Sequence, residues 1–390
     1  MLGVWMWPQS VRVHGAEKTV SWCARCGVTD IYFLTKGLSG EVSYQSELAP
    51  HPDRDLLQEL LDAAHARGMR VHAWFTSASD GHYKNLHPES GRYHFVNGRD
   101  AGLISLTDEG YLGYMEAIIR EVSRYDIDGL HLDYIRYNHL IYGWSEDDLV
   151  RYAAEGADIA YLQDAMNRMF VAEEKEPELL FDAYRAGNAS AHALARTRRK
   201  DVMNFATRLV HAAREAKPEL ILSAALMPEG AYDDLAFADV HYGQNYEDAA
   251  KLYDYALPMA YSKAYDKDGM WVRQVAEGTM QRGLKTLVGL HAYEGGTAAT
   301  LQADIAWSAD LPIEGFCLFR EGAFVMAFAS AEGLTVYNPM DVDITRLVID
   351  GASHDVLIKP GEELHHACSG VKTVCAFQGE KELCVYLVNE

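Results

Sequence analysis

The chain has 390 residues, which is long enough for one large domain and a second small one. Hydrophobic residues make up 49% of it and charged residues 24%, an ordinary globular composition. The formal net charge of −22 argues against nucleic acid or an anionic membrane as a partner, because either would favour a basic face, and it is compatible with a neutral substrate such as a sugar.

The hydropathy, the N-terminal segment and the cysteines indicate which class of protein this is. No apolar run is long enough to span a bilayer. The segment Met1–Pro8 is too short and too aromatic for a signal peptide, so we expect a cytoplasmic protein, or an exported one if a leader has been removed. The six cysteines do not suggest a disulfide scaffold in a chain of this length. Cys23 and Cys26 fall in a predicted helix and are predicted to be buried thiols.

Short β-like runs alternate with helical segments from residue 3 to about residue 320, a pattern typical of a parallel α/β sheet or barrel. The sequence contains eight predicted strands with seven clear helical segments between them. This pattern predicts a (β/α)8 TIM barrel over residues 1–330. The predicted strands cover residues 4–7, 30–34, 70–75, 129–132, 220–225, 255–261, 286–290 and 315–319.

Two segments depart from this alternation. Residues 139–190 predict a helical insertion after the fourth strand, and we expect it to form a wall of the cleft, because long connections at the C-terminal end of barrel strands are usually functional. The alternative is a solvated subdomain that only packs against its neighbours. Residues 331–390 contain short strands without helices between them. They predict a small C-terminal antiparallel β domain, which we expect to be structural because it has few aromatic residues for sugar stacking.

The loop after the third strand carries three histidines, His82, His87 and His94. Their spacing fits no helix or strand face, so the sequence favours solvated loop histidines over a metal site.

Polar and aromatic residues follow the predicted strands at their C-terminal ends. The fourth strand, an apolar run, ends abruptly in Asp133, Tyr134 and Arg136. In a parallel barrel this end of the strands carries the active site. Aromatic faces mixed with charged groups are what a sugar site needs, because sugar rings stack on Trp and Tyr while their hydroxyls bond to charged side chains. The other candidates at strand ends are Trp5, Trp7, Lys36, Trp74, Glu229, Tyr261, His291, Tyr293, Glu294, Arg320 and Glu321.

Breaking a glycosidic bond requires two carboxyl groups, one acid and one base or nucleophile. Asp133 is the first candidate, and Glu229, Glu294 and Glu321 are its possible partners. We expect the acid to have a pKa raised by burial beside aromatic residues. No Gly-rich dinucleotide or phosphate loop follows any strand, so no cofactor is expected.

Two other functions are compatible with these residues. A barrel of this kind could bind carbohydrate without cleaving it, because fold does not imply function. A metal-dependent hydrolase using His131 and Asp133 fits less well, because the first strand ends in Trp5-Met6-Trp7 where a metal-bridged amidohydrolase would have a His-x-His pair.

The segment Asp128-Gly-Leu-His-Leu-Asp133-Tyr-Ile-Arg136-Tyr137 resembles the signature of the glycosyl-hydrolase-like family ten barrels. That bacterial group includes envelope lipoproteins acting on peptidoglycan glycan strands. Three further segments are similar to this family, at residues 198–205, 257–262 and 288–291. The resemblance covers the barrel and not the tail. It implies a glycoside hydrolase fold with Asp133 as a functional carboxylate and with Arg136 and Tyr261 lining the site.

The same motif is more distantly similar to that of α-amylase-like barrels. That likeness implies Asp133 as the nucleophile and Glu229 as the acid/base. Barrels of the retaining β-glycosidase type pair strands four and seven, which implies Asp133 with Glu294, but this sequence lacks their Asn-Glu at strand four. It also lacks the leader and lipidation cysteine of the envelope lipoproteins. We therefore expect a carbohydrate substrate whose sugar and linkage are left open.

Overall fold

The computed structural model describes residues 1–293 and 295–389, without the side chains of Asp100 and Ala101. Its strands are β1 (Leu2–Met6), β2 (Asp30–Lys36), β3 (Arg70–Thr76), β4 (Gly91–His94), β5 (Gly98–Ile104), β6 (Gly129–Asp133), β7 (Ile221–Leu226), β8 (Tyr255–Pro258), β9 (Leu287–His291), β10 (Gly315–Phe319), β11 (Val325–Ser330), β12 (Gly333–Tyr337), β13 (Ile344–Ile349), β14 (Ala352–Ile358), β15 (Glu363–His366), β16 (Val374–Gln378), β17 (Lys381–Leu383) and β18 (Val385–Asn389).

The α-helices alternate with the first ten strands. They are α1 (Pro8–His14), α2 (Ala16–Arg25), α3 (Leu56–His65), α4 (Gly81–Leu86), α5 (Glu109–Val122), α6 (Glu146–Ala154), α7 (Ile159–Phe170), α8 (Leu179–Arg185), α9 (Ala189–Ala216), α10 (Tyr246–Ala249), α11 (Gly269–Gln281) and α12 (Ala298–Ser308). Several begin where an aspartate side chain accepts a hydrogen bond from a first-turn backbone N–H, as Asp55 does for α3 and Asp108 for α5.

Eight parallel strands form a closed barrel. Their order in the sheet is β8-β7-β6-β3-β2-β1-β10-β9. Parallel bridges join Ala256 to Thr286 and Met259 to Gly289, so the edge strands β8 and β9 also meet. The predicted (β/α)8 barrel is confirmed.

The interior of the barrel is filled by large side chains from alternate positions of the strands. Trp5, Tyr32 and Trp74 pack there with Leu257 and Leu287. In contrast, Leu130 and Leu132 of β6 belong to the core between the strands and the surrounding helices. The barrel is therefore a packed core, and a cavity opens at its C-terminal mouth.

Gly289 provides the space that Trp5 occupies inside the barrel. A Cβ atom at this position would lie 2.8 Å from the Trp5 ring and 2.9 Å from the carbonyl oxygen of Pro258. Both distances are shorter than real Cβ contacts, and the backbone carbonyl cannot move away cheaply. A glycine in β9 thus sets the position of the indole that forms the floor of the site.

A charged network closes the opposite, N-terminal end of the barrel. Asp30 is fully buried and bonded to His72 Nε2 at 2.9 Å and to Arg70 Nε at 2.8 Å. Burial alone would raise the pKa of Asp30, but hydrogen bonds from His72, Arg70 and Thr29 lower it to about 2. This end of the barrel carries a buried ion-pair network that supports the fold.

The insertion after β6 forms a helical subdomain with a core of its own. Leu162, Met166, Leu180 and Leu194 pack there around Trp144. No described residue of 139–190 lines the cavity at the barrel mouth. The geometry therefore fits the alternative of a subdomain that packs against its neighbours, and the expected cleft wall is not formed by this segment.

The C-terminal residues form two four-stranded sheets, ordered β15-β12-β11-β18 and β14-β13-β16-β17. The pairs within them are antiparallel except that β11 pairs with β18 in parallel. This exception was not predicted, because neighbouring short strands with tight turns indicate only antiparallel pairing. The first of these strands begins at Val325.

The structure also tests the predictions for the cysteines and for the histidine loop. Cys23 and Cys26 are buried free thiols, as predicted. The segment predicted as a histidine loop contains α4 and the hairpin of β4 and β5. Within the described residues no group of three or more His, Cys, Asp or Glu side chains is placed to hold a metal ion.

Candidate active site

A cavity of about 270 Å³ opens at the C-terminal ends of the barrel strands. Its walls are mostly aromatic, and Asp133 is the one carboxylate among the described residues that line it. The lining residues are Trp5, Trp7, Leu34, Leu38, Trp74, Thr76, Asp133, Tyr134, Arg136, Ala225, Met259, Tyr261, Tyr293 and Phe319.

Asp133 is held in one orientation by three N–H donors. Its Oδ1 accepts hydrogen bonds from the Tyr134 backbone at 2.6 Å and from Arg136 Nη1 at 3.2 Å. Its Oδ2 accepts one from Trp74 Nε1 at 3.3 Å. The side chain is 8% exposed and reaches the cavity wall. A carboxylate oriented in this way is suited to act on a ligand at a fixed position.

The backbone after Asp133 takes an uncommon conformation. Tyr134 has φ 58°, in the left-handed region that bulky residues avoid. Neighbouring groups support this turn, since Gln244 Nε2 donates to the Ile135 carbonyl at 3.1 Å and the buried Arg92 donates to the Arg136 carbonyl at 3.0 Å. Strain of this kind is found at functional sites where the surroundings enforce it.

Phe319 is the centre of the aromatic wall, and sequence reasoning missed it. Its ring lies 5.8 Å from that of Trp5, 6.2 Å from Trp74, 5.6 Å from Tyr261 and 5.5 Å from Tyr293, measured between centroids. Such edge-on and tilted contacts are favourable between aromatic rings. The available signal was its position as the last residue of the eighth barrel strand.

Tyr261 lines the cavity close to Asp133. Burial and the charge of Asp133 both raise the pKa of its phenol, so it stays protonated at neutral pH. A neutral phenol can donate a hydrogen bond to a ligand or to a carboxylate.

His131 lies below Asp133 inside the barrel, and both ring nitrogens have protein partners. Nε2 accepts a hydrogen bond from Trp5 Nε1 at 3.1 Å, and Nδ1 lies 2.9 Å from Ser223 Oγ. Burial lowers the pKa of the imidazole well below its ordinary value, so it is neutral. Because Trp5 takes up its one lone pair, His131 does not fit the role of metal ligand that the alternative reading required.

Glu229 lies in a 3₁₀ turn, Pro228–Ala231, directly after β7. Its Oε1 accepts a hydrogen bond from Tyr265 at 3.1 Å, whereas Oε2 is buried without a partner among the described residues. Burial raises the pKa of this carboxyl, although the Tyr265 hydrogen bond and the charge of Arg136 act in the opposite direction. A buried carboxyl with a raised pKa has the character expected of the acid.

Glu229 does not itself line the cavity. It is surrounded by tyrosines whose pKa values are raised by burial and, in part, by its charge, namely Tyr232, Tyr242, Tyr246 and Tyr265. Arg136 connects this pocket with Asp133, because it bonds to Asp133 and acts electrostatically on Glu229. One guanidinium thus acts electrostatically on both carboxyl groups.

Glu321 lies away from the cavity. It is fully buried, and its Oε2 accepts a hydrogen bond from the Ser10 hydroxyl of α1. Burial raises its pKa to about 7, with Ser10 and Arg320 acting in the opposite direction. Its charge interacts with Arg320 and its oxygen bonds to Ser10, whereas Glu229 interacts with the Arg136 that binds Asp133, so Glu321 is a poorer partner for Asp133 than Glu229.

Replacing Glu321 by glutamine is expected to remove a pH-dependent loss of stability. In the wild type the pKa of Glu321 is about 7 in the folded protein, above its ordinary value of 4.5. Folding therefore favours the protonated carboxyl group, and the stabilisation that this gives is complete below pH 4.5 and is lost as pH rises through 7. For the wild type this loss amounts to up to about 3 kcal/mol in the free energy of unfolding. Urea titrations of both proteins at pH 5 and pH 8 measure it. Equal changes in the two proteins would contradict the prediction.

The remaining predicted residues are not all at the cavity. Lys36 is fully buried and paired with Asp80 at 3.0 Å, so its expected role in substrate binding is replaced by an ion pair inside the protein. His291 supports the wall from behind, with its ring 4.0 Å from that of Tyr293. Arg320 lines a neighbouring cleft. Glu294 lies outside the described residues.

Eight predicted residues do line the cavity, and six further lining residues were not predicted. The predicted ones are Trp5, Trp7, Trp74, Asp133, Tyr134, Arg136, Tyr261 and Tyr293. The others are Leu34, Leu38, Thr76, Ala225, Met259 and Phe319.

Comparison with known proteins gives the following likenesses. No family model matches the chain. The glycosyl hydrolase DigH of Escherichia coli O6:H1 (strain CFT073) is 23% identical over 357 residues, which span 76% of this chain and 73% of that protein. DigH of Escherichia coli K12 has the same identity and coverage.

Among solved structures, the glycoside hydrolase domain of PgaB (BpsB) from Bordetella bronchiseptica gives a TM-score of 0.60 at 14% identity and covers 82% of this chain and 93% of that domain. The catalytic domain of a β-amylase from Paenibacillus polymyxa gives 0.58 at 10% identity, covering 82% of this chain and 92% of that one. The barrel is thus a fold shared with glycoside hydrolases. No helix in the described part of the chain is long and apolar enough to cross a membrane.

Proposed function

We propose that this protein is a glycoside hydrolase in which Asp133 is the essential catalytic carboxylate. The observation that carries the proposal is an oriented carboxylate in an aromatic cavity at the C-terminal mouth of the barrel, where barrel enzymes have their active sites. The sequence likeness to DigH supports it, as does the fold shared with glycoside hydrolases.

The cavity suits a neutral sugar. Indole and phenol rings provide faces for the C–H surface of a sugar ring, and Asp133 and Arg136 provide charge-assisted hydrogen bonds to hydroxyls. The net charge of −22 would repel a polyanionic glycan. The proposed substrate is therefore an uncharged oligo- or polysaccharide.

In the proposed two-carboxylate mechanism, the surroundings of each carboxyl group decide whether it acts as the base or nucleophile or as the acid. Asp133, surrounded by donors, is proposed as the nucleophile or base. Glu229, with its raised pKa and unpartnered buried oxygen, is proposed as the acid that protonates the leaving oxygen. Glu294 is the alternative second carboxyl group, since its neighbours Tyr293 and Gly295 line the cavity and the adjoining cleft.

The proposed function extends to two relationships with known families. Membership of glycosyl-hydrolase-like family ten rests on the motif Asp128–Tyr137, and the more distant α-amylase-like relationship rests on Asp133 and Glu229 following strands four and five of the barrel. No cofactor is proposed.

A second candidate function is carbohydrate binding without cleavage. It is favoured by one observation, that Asp133 is the sole carboxylate lining the cavity among the described residues. Both functions predict binding of saccharides, but only the first predicts new chain ends.

The test is incubation of the wild-type protein with a panel of neutral polysaccharides. Reducing ends and product masses report cleavage, and isothermal calorimetry reports binding. New reducing ends that increase with enzyme concentration support hydrolysis. Binding without new ends at any pH between 4 and 9 would overturn it in favour of the binding barrel.

A further inference from the structure

Two further hollows adjoin the candidate active site, and both are lined in part by C-terminal residues. The catalytic cavity and a neighbouring cleft of about 450 Å³ share Trp7, Tyr293 and Phe319. A third hollow, of about 390 Å³ beside α1, shares Trp7 and Arg320 with that cleft. Because Trp7 lines all three, the spaces lie next to one another around this indole.

The outer wall of this cleft comes from the C-terminal β domain. Lys381, Asp341 and Glu382 of this domain lie there beside Arg320, which directly follows barrel strand β10, so two cationic groups stand next to two carboxylates. Mixed charges of this kind provide donors and acceptors for hydroxyl groups, and they favour neither a strongly anionic nor a strongly cationic ligand. Lys381 and Asp341 are exposed, so their side chains are free to meet a ligand.

Trp7 is an aromatic platform at the junction. The residue is 38% exposed, which is high for a tryptophan. The Arg320 guanidinium lies 3.6 Å from the centre of its ring, which holds the indole in place by a cation–π contact. An exposed, fixed indole next to mixed polar groups is suited to stack a sugar ring.

We infer that this cleft binds the sugar units next to the one held at Asp133, and that the C-terminal domain is part of the substrate-binding site. The cavity alone, at about 270 Å³, is smaller than ordinary ligand pockets of about 300–1,000 Å³, and the cleft adjoins it at Trp7, Tyr293 and Phe319. The protein thus acts on chains of several units. This inference rests on the proposed function, and it revises the expectation that the domain is only structural.

The test compares the wild type with the double variant Lys381→Ala/Asp341→Ala. Fragments of two to six units are prepared from each neutral polysaccharide of the panel, and kcat/KM is measured for each length. The matched control is Lys372→Ala/Asp343→Ala, which removes the same residue types at exposed positions of the same domain that do not line the cleft.

For the wild type, kcat/KM is expected to rise with length beyond two units. The double variant should lose about 5- to 30-fold on the longest fragments and keep its value on the shortest, since a lost hydrogen bond costs about 1 kcal/mol. The control should follow the wild type. Equal values for variant and wild type at every length, or an equal loss at every length, would overturn the inference.

The two proposals fail in different ways. If no fragment is cleaved, the proposed hydrolase function fails, and binding of the same fragments is measured by calorimetry. Affinity that increases with length and is reduced in the double variant still supports the cleft as a binding site. Affinity independent of length, or no binding, overturns it.

Discussion

Replacement of Asp133 by asparagine is expected to lower kcat for the glycan substrate by about 10³-fold or more. Asparagine has nearly the same shape and keeps one oxygen for the Tyr134 and Arg136 donors, but it cannot act as a nucleophile or base. Its amide nitrogen meets the Trp74 N–H, a mismatch that costs about 1–3 kcal/mol of stability and leaves the fold intact.

Reducing-end release by purified D133N, with circular dichroism and thermal unfolding as checks on the fold, measures this loss. The matched control is Asp126→Asn, because Asp126 precedes the same strand and its side chain is 82% exposed. The control should keep wild-type turnover. A folded D133N with turnover near that of the wild type would remove Asp133 from the mechanism.

Replacement of Glu229 by glutamine is expected to reduce kcat/KM on the natural glycan by about 10²- to 10⁴-fold, the contribution of a general acid. On dinitrophenyl glycosides the loss should be small, because that leaving group departs without a proton. Because the acid must be protonated to act, the raised pKa of Glu229 determines how activity changes with pH. Wild-type activity on the glycan should fall as pH rises through this pKa, and that limb should vanish in E229Q.

The control for this prediction is Glu219→Gln, an exposed glutamate just before β7. A large loss of activity on the glycan in E229Q with an equal loss on dinitrophenyl glycosides would indicate a structural effect instead. If E229Q keeps wild-type activity on both, Glu229 is not the acid, and Glu294→Gln examined with the same two substrates tests the alternative partner.

The barrel and the key carboxylate could be predicted because their signals are local. Strands buried on both faces read as apolar runs, and Asp133 stands out as a charge at the end of such a run. Its surroundings belong to other strands, since Trp74 comes from β3 and Phe319 from β10. Phe319 was missed because an aromatic residue ending an apolar strand looks like any core residue.

The predictions for Lys36 and for the insertion were wrong because each depends on contacts with residues far away in the sequence. Lys36 at a strand end looked like a ligand for substrate, but Asp80, which caps α4, neutralises it inside the protein. The insertion was predicted to be helical, yet a helix prediction does not say which neighbour the helix will face. Its apolar side chains pack on one another and on Val240 instead of lining the cavity.

The tryptophans of the site have a practical consequence for spectroscopy. Three of the seven tryptophans, Trp5, Trp7 and Trp74, line the catalytic cavity, and they are 1%, 38% and 4% exposed. Their intrinsic emission should change when the cavity fills. Acrylamide should quench Trp7 far more than the two buried indoles. A saccharide that shields Trp7 from acrylamide would therefore report occupancy of the junction without any label.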